Sequence, residues 1–304
     1  MSHAFRTARF YKPLQSEIGR RLPVLLYHHI GPARSNTFPG LTVSSEKFDR
    51  QMRWLARWGY VGIRPSDWLR WLREGTGLPE KAVLISFDDG YADLTEHALP
   101  VLRRHRFGAV IFVVTGQVGG TNTWDEAQGS ATQRLMTADQ IRYWATQGIE
   151  FGAHSRTHVD LTTLRPDELS EEILGSRNDL IKLLGSPVIS FAYPYGLYNK
   201  DVYECVRGGF DLAFCAGPTM EGFNDLLTDR YLQRRNAVQS ENFVVDVLCS
   251  VRWGYEPIQR IRARLNLRSR LNHMKECGAK LIRRSQFTHS VTSKFFRKTD
   301  EFGQ

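Results

Sequence analysis

Ala82-Val83-Leu84-Ile85-Ser86-Phe87-Asp88-Asp89-Gly90 places a six-residue run with one polar member directly before two carboxylates and a glycine. A run of that length without polar alternation reads as a strand covered on both faces, as parallel strands between helices are. Two adjacent carboxylates at its end are costly to bury unless they hold a metal or share a proton. The other reading is an Asp-Asp-Gly turn with solvated side chains. This stretch alone leaves both open.

Runs of the same kind flank it: Pro23–Tyr27, Ala109–Val114, Ile149–Ala153, Val188–Tyr193, Leu212–Ala216 and Tyr231–Val238. Helix-length segments lie between several of them. Ser44–Gly59 carries Phe48, Met52 and Leu55 on one face, and Thr137–Gly148 opens with a Thr-x-x-Gln capping box. Pro166–Leu184 has proline in its first turn and stops at Gly185, while Asn199–Gly208 and Ser240–Ser250 begin on capping residues. Seven runs alternating with helices over residues 20–250 predict an α/β fold, a βα-repeat barrel rather than an open sheet. Gly116–Arg134, rich in Gly, Thr, Asn and Gln, is expected as a long rim loop.

The composition (304 residues, 41% apolar, 12% aromatic) excludes a disordered chain, and the apolar runs fall short of the roughly 20 residues of a membrane span. The net charge is +9, and its placement is uneven. Residues 1–250 hold 28 basic and 28 acidic residues, whereas residues 251–304 hold 13 basic and 4 acidic. This predicts an N-terminal arm over 1–20, a barrel over 21–250 and a basic helical extension over 251–304. In that extension Ile258, Ile261, Leu265, Leu271, Met274 and Leu281 recur near helical spacing among Arg and Lys. Such a helix suits packing on the barrel or peripheral contact with an anionic membrane. Nucleic acid is a poor fit, because the body is neutral. The four cysteines show no CxxC spacing and the N-terminus has no apolar signal-peptide core. Both point to the cytoplasm or its membrane face.

Two further motifs follow strands. His154-Ser155-Arg156-Thr157-His158 sets two imidazoles four residues apart, able to converge on one cation if the segment makes a single turn. With Asp89 they form a two-histidine, one-carboxylate set with open positions, the pattern of a catalytic divalent site. Separately, each His would more often be an ordinary loop residue. Phe191-Ala192-Tyr193-Pro194-Tyr195-Gly196 ends another strand in a tight turn, which can aim a backbone N–H outward to hold an oxyanion, or can be a plain turn.

SFDDG, HSRTH and AYPYG, in this order, resemble the first three motifs of the polysaccharide deacetylase family, the NodB-homology carbohydrate esterases. Leu22-Pro23-Val24-Leu25-Leu26-Tyr27-His28-His29 resembles the opening strand of its poly-N-acetylglucosamine deacetylase-like branch. The resemblance covers roughly residues 20–245 and implies a distorted (β/α) barrel of about seven βα units that hydrolyses the N-acetyl amide of an amino sugar. It implies Asp88 as general base, Asp89, His154 and His158 as ligands of a divalent ion (usually zinc), and Tyr195 N–H as an oxyanion donor. Trp124, Asp125, Tyr193 and Pro194 are implied at the saccharide.

Two departures stand out. The third motif usually begins with an Arg that orients the catalytic Asp, and Ala192 stands there instead. Arg235 is the expected substitute, with Arg234 second. The usual Leu-x-x-His of the general acid is missing, and no His lies between His158 and His273; His28 and His29 remain as candidates. The expected activity is therefore N-deacetylation of a glycan or lipid-linked glycan precursor. Hydrolysis of a non-sugar amide and saccharide binding without turnover are the alternatives.

Overall fold

The computed structural model describes residues 20–32, 40–128, 132–217 and 221–254. Along the chain the strands are β1 (Leu22–Tyr27), β2 (His29–Ile30), β3 (Thr42–Val43), β4 (Val61–Ile63), β5 (Ala82–Phe87), β6 (Ala109–Val113), β7 (Ile149–Ala153), β8 (Ser190–Ala192), β9 (Leu212–Phe214), β10 (Phe223–Asn224) and β11 (Asn236–Ala237). The main sheet runs β10-β1-β5-β6-β7-β8-β9, parallel except for β10, with β4 on the first half of one β5 edge and β6 on the second. Its curl is closed by one segment. Gln233 bridges to Phe214 of β9, and β11 pairs in parallel with Leu25–Leu26 of β1.

Alternation along each strand separates two cores. Leu25, Tyr27, Ile85, Phe87, Ile111 and Phe191 face the helices. Leu22, Val24, Leu84, Val110, Phe112, Leu212 and Phe214 fill the barrel interior. The helices are α1 (Ser45–Arg57), α2 (Pro65–Glu74), α3 (Leu94–His97), α4 (Leu99–His105), α5 (Ala138–Thr146), α6 (Pro166–Ser170), α7 (Ser176–Leu184), α8 (Lys200–Gly209) and α9 (Val244–Trp253). From α2, the stacked Trp68 and Trp71 join the interior core, and the Trp68 indole donates to Gln233 Oε1 at 2.9 Å. The seal is thus tied to the closing segment. Gly152 leaves room for Phe112, since a Cβ there would approach that ring to 2.5 Å.

Several expectations change on folding. The single helix over Pro166–Leu184 is α6 and α7 joined by a π turn at Glu171–Gly175. The last helix starts at Val244 rather than Ser240, because Asp246 accepts from the Phe243 N–H at 2.7 Å and sets the cap there; it runs on to Trp253. The seventh strand is split, Gln233 serving β9 and β11 serving β1. The Gly116–Arg134 loop holds two 3₁₀ turns, Thr115–Gln117 and Thr123–Gln128. The arm before Arg20 and the helical extension beyond Gly254 lie outside the described residues. Among the described residues, no helix is long and apolar enough to cross a membrane.

Candidate active site

The parity that turns Leu84 inward also turns Ser86 and Asp88 inward, so the first carboxylate enters the barrel at the C-terminal end of β5. There it meets Arg235. Nη1 and Nη2 donate to the two Asp88 oxygens at 2.6 and 2.8 Å, Nε donates to the Cys215 carbonyl at 3.0 Å, and the guanidinium lies 5.5 Å from the Phe112 centroid. Burial alone would raise the Asp88 carboxyl, but the charges of Arg235 and His154 hold it at about 2. Arg235 stands where Ala192, buried in the same interior, cannot reach. Arg234 is exposed.

Asp89 has the opposite surroundings. Its Oδ1 is buried without a hydrogen-bond partner. Burial, then the charges of Asp88 and Asp125, push its carboxyl well above the usual range. Nε2 of His158 and of His154 stand 3.3 and 3.5 Å from that oxygen. His154 Nδ1 lies 2.8 Å from the Ala192 carbonyl, which can only accept, so the Nε2 lone pair faces Asp89. Burial lowers both imidazoles, His158 well below its ordinary value. Two neutral imidazoles around an orphaned carboxylate oxygen, with one donor atom from each residue mutually within 4.8 Å, fit a divalent cation.

The backbone is strained at the same place. Asp89 (φ 70°), Ser155 (φ 61°), His158 (φ 61°) and Tyr195 (φ 58°) are left-handed non-glycine residues, each costing on the order of 1–3 kcal/mol. Glu172 restrains the histidine loop. Its carboxylate accepts from the N–H groups of Arg156 and Thr157 at 2.9 and 3.0 Å and from the Thr157 hydroxyl at 2.8 Å. Arg156 pairs in turn with Asp179, Nε to Oδ2 at 2.7 Å, and a Cβ on Gly175 would strike its guanidinium at 2.7 Å. Glu172 and Gly175 belong to the π turn, a distortion that often marks functional sites.

Asp88, Asp89, His154 and His158 line a cavity of about 360 Å³. Tyr195, half exposed, sits edge-on to His158 with centroids 4.6 Å apart. Trp124 stacks on the same imidazole at 4.7 Å, so the indole buttresses a candidate ligand. Asp125 is fixed by Asn122 Nδ2 at 2.8 Å and lies 3.5 Å from the Tyr91 hydroxyl. Tyr193 is among the residues that line the cavity, and Pro194 is not. The Tyr193 ring is buried in the outer core with its hydroxyl donated to the Tyr231 carbonyl at 3.0 Å, and Pro194 is buried at the start of the 3₁₀ turn. In that turn Gly196 and Leu197 supply the N–H groups that close it, and any side chain on Gly196 would collide with the Ala216 carbonyl. His29 is spoken for, bonded to Asp93 at 2.8 Å and stacked on Tyr91. His28 faces the cavity. Glu172, Tyr91 and Asn122 were not singled out from sequence, since no local pattern joins them to the motifs they support.

The sequence profile of polysaccharide deacetylases matches residues 75–208. A Bacillus subtilis protein (YxkH), assigned by name to the polysaccharide deacetylases, is 27% identical over 206 residues, 67% of this chain and 68% of its own. A poly-β-1,6-N-acetyl-D-glucosamine N-deacetylase of Staphylococcus aureus is 28% identical over 184 residues, 57% of this chain; the match spans 60% of that relative's length. The deacetylase PplD of Streptococcus pyogenes, solved with acetate, superposes with a TM-score of 0.65 at 25% identity, covering 76% of this chain and 98% of that one. The motif order, the geometry around Asp88 and Asp89, and these likenesses make the barrel similar to the hydrolases of the polysaccharide deacetylase family.

Proposed function

We propose that this chain removes the N-acetyl group from an amino sugar of a glycan, using a divalent cation, zinc by preference, held by Asp89, His154 and His158. The carrying observation is the split between the two neighbouring carboxylates: Asp88 is neutralised by Arg235 while Asp89 Oδ1 faces two imidazole nitrogens unpartnered. The S. aureus and S. pyogenes relatives, named as deacetylases, support the substrate class.

The cation supplies Lewis acidity, which acidifies a water and polarises the acetyl carbonyl. Every other part is assigned to the chain. Asp88 takes the proton of the attacking water; a carboxylate held near 2 accepts it only from a strongly acidified donor, which makes the two adjacent carboxylates interdependent. Arg235 keeps Asp88 ionised and fixes its rotamer. The Tyr195 N–H, held out by the left-handed turn, receives the developing oxyanion. The proton that Asp88 takes from the water passes to the leaving amine, and His28, which burial lowers to about 4 and keeps neutral, lines the same cavity beside that path. Trp124 and Tyr195 shape the wall on which a sugar ring rests.

The test is acetate release from N-acetylglucosamine oligomers by zinc-reconstituted protein. Turnover that falls by about 10³-fold or more in Asp88→Asn supports the reading. Equal turnover in that variant, or none in wild type, contradicts it.

A further inference from the structure

At the opposite end of the barrel, beside the first residues of β1 and β5, lies an open groove of about 900 Å³. Trp58, Tyr60 and Phe223 form aromatic walls, and Arg21, Lys81 and Arg252 line it against the single acid Glu80, with Arg20 at its edge. The surrounding surface is richer still. Trp54 and Trp58 stand one turn apart at the end of α1 and Trp253 ends α9, exposed by 39%, 45% and 55%. Arg57 lies over the Trp54 ring and Arg21 over the Phe223 ring, each at 5.6 Å. Three exposed indoles on one barrel end, interleaved with guanidinium and ammonium groups, are unusual for a surface facing only water.

We propose that this N-terminal face docks on an anionic lipid surface. Indoles favour the boundary between water and hydrocarbon, where an apolar body and an N–H are both satisfied. Each Lys or Arg near such a surface strengthens attachment roughly fivefold. The charge of the flanking sequence has the same sign. The described chain begins at Arg20, on the groove, and ends at Gly254, where a Cβ would meet the Phe223 ring at 2.9 Å. Beyond these points lie Arg6, Arg9 and Lys12 on one side and most of the basic excess of residues 251–304 on the other. A nucleic-acid site would stack bases inside a basic channel. Here Trp54 and Trp253 stand outside the groove at helix ends.

The six-residue strands β1 and β5 span about 20 Å. Docked this way, the Asp88–His154 cavity opens away from the lipid, toward a saccharide extending into water.

The test is sedimentation of the full chain with phosphatidylcholine vesicles, with and without phosphatidylglycerol. Wild type binds the anionic vesicles selectively. The pairs Trp58→Ala with Trp253→Ala, and Lys81→Glu with Arg252→Glu, each weaken that binding by about tenfold or more at unchanged melting temperature. The exposed control Arg207→Glu on α8 leaves it intact. Wild-type affinity in both pairs, no vesicle binding by wild type, or a loss seen only with DNA overturns the proposal. None of these outcomes depends on turnover, so docking and the deacetylase reading fail separately.

Discussion

At the sealed end of the barrel, Trp68 and Trp71 stack on each other in one core with Leu84, Phe112 and Phe214, and the Trp68 indole N–H is satisfied by Gln233. At the open end, Asp89 Oδ1 and His158 Nδ1 are buried without partners, and Asp89, Ser155, His158 and Tyr195 adopt left-handed backbone. The same strands build both ends. The difference shows where stability is stored and where it is given up: close packing below supports charge and strain above.

Arg235, which joins the two ends through Phe112 and Asp88, tests the comparison hardest. Arg235→Met leaves a buried carboxylate unpaired and is expected to cost about 3–5 kcal/mol, read by chemical denaturation, together with most of the turnover. Adding Asp88→Asn restores much of the stability and none of the activity. A single variant as stable as wild type contradicts the pairing. The pH dependence has a defined sign. Because Asp88 sits below its unfolded value, its contribution of about 2 kcal/mol in the metal-free protein is present above about pH 4 and lost as pH falls toward 2. In Arg235→Met that stability loss below about pH 4 disappears.

Phe112→Ala, in the sealed interior, is expected to cost a similar or slightly smaller ~3–4 kcal/mol through the cavity it opens. Turnover per folded molecule should fall far less than in Arg235→Met. An equal collapse of turnover would mean that the two ends are not separable.

Glu172→Gln is the mildest test. It keeps the shape but weakens the charge-assisted bonds to the Arg156 and Thr157 N–H groups. Metal affinity, measured by competition with a chelator, should drop about 10- to 100-fold with little change in melting temperature. Unchanged affinity would show that the histidine loop holds its geometry without the π turn.

The sequence made the sheet legible because parallel strands buried on both faces are continuous apolar runs, and Ala82–Phe87 or Ala109–Val113 cannot be much else. It made the candidate ligands Asp89, His154 and His158 easy to pick out, because they follow such runs closely. β4 escaped notice, since Val61-Gly62-Ile63 is too short to show a period. The split of the last strand was hidden as well, because its cause is tertiary: Gln233 serves one barrel edge and Asn236 the other. Arg235 was separable from Arg234 only as a first choice, and its inward position depends on that split. Tyr193 lines the cavity, but its ring also packs in the outer core, a double placement that its motif does not reveal. His28 and His29 looked equivalent until Asp93 and Tyr91 engaged one of them.

The most direct measurement is zinc stoichiometry by calorimetric titration of the metal-free full chain. Wild type and Asp88→Asn should each bind one equivalent per chain, and Asp89→Ala and His154→Ala none of comparable affinity, because Asp89 is assigned to the ion and Asp88 to the proton. Undiminished binding in the Asp89 and His154 variants, or loss of binding only in Asp88→Asn, would contradict that division of labour.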